Sequence, residues 1–142
     1  MNAFIKSFSD KYLYSKKGID KDIPWFDDQE FEQILESAKN VVSKYLSEKG
    51  CKWVLESSSF ADDIEEVISL CMAYNCMSRL IDNKNRSKKI KKDNRLSGVF
   101  DSNTIDLFKN YRNEHDNNII EAFSKIISKA EQSPEKPNQY QF

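Results

Sequence analysis

Phe31, Ile34, Leu35, Ala38, Val41, Val42, Tyr45 and Leu46 form one unbroken apolar stripe when wound at 3.6 residues per turn, and no strand can gather them on one face. Asp27 stands before this stripe as a helix N-cap with Glu30 three residues on. Phe26 is placed to pack on Phe31 as a hydrophobic staple. Gly50 follows the last apolar residue and can take the left-handed conformation that ends a helix. A helix of this kind is stable only against other apolar faces, and the rest of the chain provides them.

Phe4, Ile5, Phe8, Tyr12 and Leu13 predict a short first helix over about residues 2 to 14, followed by a loop from Ser15 to Pro24. Trp53, Val54 and Leu55 read as a turn or an isolated strand fragment. Ser59 with Asp62 resembles a second capping box. Beyond it, Phe60, Ile64, Val67, Ile68, Cys71, Asn75 and Ser78 trace one face and Leu70, Tyr74, Met77 and Ile81 another. A helix apolar on two sides belongs at the centre, so residues 59 to 82 are expected in the middle of a bundle. Asp101 or Ser102 can cap a fourth helix reaching about Ala130, with Ile105, Phe108, Ile119, Ala122, Phe123, Ile126 and Ile127 inward. The expected fold is all-α, a four-helix bundle-like single domain over residues 1 to 131. A polar tail with two prolines, residues 132 to 142, is expected to be disordered.

Charge is unevenly distributed along this chain. Lys84 to Arg95 holds seven basic residues against one acid, a charge of +6 in a protein of net charge −1. It would form a long basic connection between helices three and four, and Arg86, Lys88, Lys89, Lys91, Lys92 and Arg95 are the candidate anion-binding side chains. The segment contains no aromatic ring on which a base could stack, so contact with nucleic acid through it would be nonspecific and salt-dependent. The acidic overall balance also disfavours a dedicated nucleic-acid binder. From Asp20 to Glu66 the balance reverses, with thirteen acids against five bases. Many of these carboxylates fall in the first turns of helices, where the helix dipole stabilises them. If the two helix starts share one end of the bundle, Asp27, Asp28, Glu30, Glu32, Asp62, Asp63, Glu65 and Glu66 would make one acidic surface for a basic protein partner.

Catalytic signals are sparse. The three glycines stand too far apart for a phosphate-cradling loop. Cys71 and Cys76 are five apart on one helix and the chain has a single histidine. A zinc site would need Cys51 and His115 to converge on them, so no metal or other cofactor is expected. The remaining cluster is Tyr111, Arg112, Asn113, Glu114 and His115. Stepping from Phe108 by four and three reaches Arg112 and His115, then Ile119, which sets two polar side chains into an apolar seam. Burial there requires a carboxylate, a backbone carbonyl or a ligand to pair with them.

The phrase FKNYRNEHDNN resembles the Arg-Asn…His signature of the HEPN superfamily of small helical bundles, many of them ribonucleases of bacterial conflict systems. The resemblance would make Arg112, Asn113 and His115 the residues acting on a scissile phosphate across a dimer. This chain departs from the family pattern by having only two residues between Arg112 and His115. The excess of Lys over Arg, together with abundant Asn, Ile and Ser, suggests an AT-rich gene of the kind common in mobile loci. The sequence lacks a signal-peptide pattern and a long apolar run, which points to a cytoplasmic protein that does not enter the membrane. The leading expectation is therefore a non-enzymatic helical protein that binds another macromolecule, of immunity, antitoxin or inhibitor type. A HEPN-like ribonuclease and nonspecific nucleic-acid binding through Lys84 to Arg95 are the alternatives.

Overall fold

The computed structural model describes residues 2–82 and 102–137, and these are all-α, with no strand among them. Among the described residues four α-helices carry the architecture: α1 (Ala3–Phe8), α2 (Asp28–Glu48), α3 (Ala61–Asp82) and α4 (Ser102–Gln132). The expected basic connection of residues 84 to 95 lies outside the described residues.

Local sequence signals set the helix ends. Asp27 Oδ1 accepts the Glu30 N–H at 2.8 Å, and the rings of Phe26 and Phe31 pack with centroids 5.4 Å apart, so both the cap and the staple form. At the other end of α2, Gly50 has φ of +70°, its N–H bonds Ser47 O at 3.1 Å, and the Cys51 N–H bonds Leu46 O at 2.8 Å. This is the paired closure of a Schellman motif, and buried Cys51 and Leu46 supply its apolar contact.

Three elements differ from the expectation. The first helix is α-helical only to Phe8 and continues as a π-helical turn over Ser9–Leu13. There the buried Ser9 hydroxyl donates to Ile5 O at 2.8 Å, competing for a carbonyl in the helical ladder. The connector around Trp53 is a 3-10 helix, Lys52–Glu56, with Trp53 edge-on to Phe60. A second 3-10 turn, Ser58–Phe60, precedes α3. The Ser59 hydroxyl is not turned to cap that helix but donates to Glu135 at 2.5 Å, with Ser57 donating to the other oxygen of the same carboxylate. The C-terminal segment is thus described as far as Pro137, and residues 138–142 lie outside the described residues.

Helix direction follows from the contacts between helices. Glu30 at the start of α2 pairs with Arg79 near the end of α3, so these two helices run antiparallel. Asp63 at the start of α3 pairs with Lys125 and Lys129 late in α4, and Asp82 pairs with Arg112, so α4 is also antiparallel to α3. Tyr45 of α2 packs on Phe123 of α4 with centroids 4.1 Å apart, which brings the two flanking helices together at one end. The core runs through all four helices, and α3 is its centre: Val67 to Ala73, Cys76, Met77 and Leu80 are all buried. The loop after α1 is held to α4 by Trp25, which is fully buried, stacks edge-on against Phe108 and donates Nε1–H to Asp20 O at 2.7 Å.

Candidate protein interface

The expected acidic surface is divided by the fold. Antiparallel packing puts the start of α2 beside the end of α3, so Asp27, Asp28, Glu30 and Glu32 lie at one end of the molecule and Asp62, Asp63, Glu65 and Glu66 at the other. Asp62 and Arg79 are seventeen positions apart along α3, roughly 25 Å at the rise of an α-helix. Several of these carboxylates are also engaged internally. Asp27 caps α2, Glu30 is 3.9 Å from Arg79, and Asp63 lies 2.8 Å from Lys129 and 3.7 Å from Lys125. Asp28 and Glu32 are exposed, as are Asp62, Glu65 and Glu66, which line a groove of about 660 Å³ between α3 and α1 together with Lys11. The six candidate anion-binding residues, Arg86, Lys88, Lys89, Lys91, Lys92 and Arg95, fall outside the described residues.

Arg112, Asn113 and His115 share α4 but face different surroundings. Arg112 is half-buried with its guanidinium 4.0 Å from Asp82, and Asn113 is exposed. His115 is 2 % exposed, and neither ring nitrogen has a hydrogen-bond partner among the described residues. The expectation of a paired interior histidine is therefore not met. Burial chiefly, helped by the Lys16 ammonium and opposed by Glu114, lowers its pKa to about 4. The ring stays neutral, so what the fold bears is the cost of two desolvated nitrogens and not that of a buried charge.

The segment covering this part of α4 is fastened by three contacts. Lys16 pairs with Glu114 at 3.2 Å, Tyr111 donates its hydroxyl proton to Lys17 O at 3.0 Å, and Gly18 lies against Leu107. At 2 % exposure the His115 ring itself is out of reach of a phosphate in solution. The thiols offer no better nucleophile: Cys71 and Cys76 are buried, and desolvation raises both, Cys71 to about 11. Among the described residues, no three His, Cys, Asp or Glu side chains converge on a point suited to a metal.

The surface that stands out is apolar. Three large hydrophobic side chains are conspicuously exposed among the described residues: Val41 at 51 %, Tyr74 at 37 % and Ile120 at 58 %. Val41 and Tyr74 line a groove of about 540 Å³ between α2 and α4, floored by α3 through Cys71, Asn75 and Ser78. Ile119 and Asp116 form its α4 wall, and the exposed Ile120 follows one helical turn after Asp116 in the sequence. One end is closed by Tyr45 against Phe123. Beyond the other end lie two ion pairs, Glu30 with Arg79 and Asp82 with Arg112, and Arg79 also donates to Asn75 Oδ1 at 3.0 Å.

The sequence pattern assigns Val41 and Tyr74 to buried faces. Their exposure arises because α2 and α4 meet at Tyr45 and Phe123 but leave α3 uncovered between Ser37 and Asp116. A β-branched residue and an aromatic on helical stripes look the same whether a neighbour covers them or not. The local signal is their small and polar company, Ser37 one turn before Val41 and Asn75 and Ser78 on the α3 face next to that of Tyr74.

No protein-family model matches this chain, and neither do the curated proteins or the solved structures. No described helix is long and apolar enough to cross a membrane.

Proposed function

We propose that this protein acts without catalysis, by binding another protein on the face formed by α2, α3 and α4. The observation that carries this reading is the exposure of Val41 and Tyr74 along one groove, with exposed Ile120 next in sequence to its Ile119 wall, since helical domains seldom leave large apolar side chains clustered in water without a partner. An inhibitor, immunity or antitoxin component works in this way, by covering part of its target, and that is the role we favour. The exposed carboxylates Asp62, Glu65 and Glu66 suit a basic target at the far end of α3. A ribonuclease centred on His115 has no such support, because a general acid or base must reach the proton it transfers.

The test is recovery of a partner from the native host by the tagged chain and by Val41→Glu. Val41 is half exposed, so the substitution leaves the core intact while placing a charge on the apolar surface. A partner retained by the native sequence and lost by Val41→Glu, at unchanged helicity, is the expected result. Equal recovery by both proteins would remove the groove from the function.

A further inference from the structure

The groove has a chemistry that selects among partners. Its lining is apolar or small along Ala38, Val41, Cys71, Tyr74 and Ile119, and Asp116 is the one charged side chain in it. Among the described residues Asp116 forms no ion pair or hydrogen bond, whereas the neighbouring charges are matched, Arg79 with Glu30 and Arg112 with Asp82. The α3 floor from Cys71 to Ser78 spans two helical turns, or roughly 11 Å. That length suits a short amphipathic helix presenting two or three apolar side chains at i, i+3 or i+4, and i+7.

We infer that the α2–α4 groove receives an amphipathic helix of a partner protein that carries a Lys or Arg one turn from its apolar anchors, and that Asp116 pairs with this cation. The inference rests on the binding function proposed above and adds the partner's chemistry. Val41, Tyr74 and Ile119 take up the apolar side chains. Asp116 fixes register and polarity, because a carboxylate in the same position on the partner would be repelled. Asn75 and Ser78 give the floor polar groups that tolerate water when the groove is empty.

The experiment uses the full chain and two fluorescent amidated peptides of about 16 residues, long enough for roughly four turns. Both carry leucine at i, i+3, i+4 and i+7, one with lysine and the other with glutamate on the flanking positions. The lysine peptide is expected to bind the native protein, to bind Asp116→Lys about tenfold more weakly, and to lose binding to Val41→Glu and Tyr74→Ala. The glutamate peptide is expected to reverse the order, binding Asp116→Lys about tenfold better than the native protein.

Far-UV dichroism and melting curves establish that the three variants are folded, and the two apolar-site variants serve as checks on each other. Equal affinity of the lysine peptide for native and Asp116→Lys protein overturns the inference, as does no binding by either peptide. Sedimentation giving a dimer that Val41→Glu dissociates would assign the groove to a second copy and overturn it too. These failures stay distinct from failure of the binding function. If the host partner is lost with Val41→Glu yet the peptides show no charge preference, the groove remains a binding face and only the cationic chemistry is wrong.

Discussion

His115 is 2 % exposed inside the bundle, and burial chiefly lowers its pKa to about 4. Its place in the Phe108–Ile119 seam was legible from spacing, and so was the requirement that burial must be compensated. What could not be read was that the fold would bury the ring without offering it a hydrogen-bond partner among the described residues, at a place where Lys16 and Lys17 reach α4 from nearly one hundred residues away in sequence. The consequence is a pH-dependent stability with a definite sign. The folded-state pKa of about 4 lies below the ordinary value of 6.5, so the unfolded chain binds the proton more readily between those values. His115 therefore contributes stability that is complete above about pH 6.5 and is lost progressively as pH falls towards 4, on the order of 3 kcal/mol across the window. His115→Leu removes the two unpartnered nitrogens and the titration together. Urea midpoints should fall less for the variant than for the native protein on acidification from pH 6.5 to pH 4. Parallel falls would show that the ring is not held neutral by burial.

At the scale of helices, the ends that sequence marked most strongly are the ends that formed as marked. Asp27, Phe26 with Phe31, and Gly50 act over four or five residues, so their geometry is fixed by local chain alone. Ser59 failed as a cap because a distant carboxylate, Glu135, takes its hydroxyl, and Lys129 binds both the Ser59 carbonyl, at 2.6 Å, and Asp63. A local motif gives way when a long-range partner satisfies the same group.

The two left-handed glycines provide a graded test of how the elements are closed. Gly50 at φ +70° has open space where a Cβ would stand, so Gly50→Ala should cost only the backbone strain, about 1 kcal/mol. Gly18 at φ +87° would place its Cβ 3.1 Å from Leu107 Cδ2, so Gly18→Ala adds displacement of a packed side chain to the same strain. Denaturant midpoints should rank Gly18→Ala below Gly50→Ala. The opposite ranking would mean that the loop over α4 is not fastened as described.

For the whole molecule, the fold class was readable from periodicity and from the shortage of glycine and proline. The arrangement of charge and exposed apolar surface was not. Whether Asp27 and Asp62 share a patch depends on helix direction, and the pairing of Glu30 with Arg79 settles that they do not. Whether Val41 and Tyr74 are core residues depends on how far α2 and α4 splay over α3, and the Tyr45–Phe123 contact closes only one end. The groove is thus a product of packing, and the account of function rests on its being covered when the protein acts.

Hydroxyl-radical footprinting of the chain, alone and in complex with the partner recovered from its host, tests that claim most directly. Oxidation at Val41, Tyr74 and Ile120 should fall sharply in the complex, while Tyr12, beside Glu66 in the groove between α1 and α3, keeps its free-state reactivity. Unchanged labelling of Tyr74 with protection of Tyr12 would contradict the account and move the binding face to the acidic end of α3.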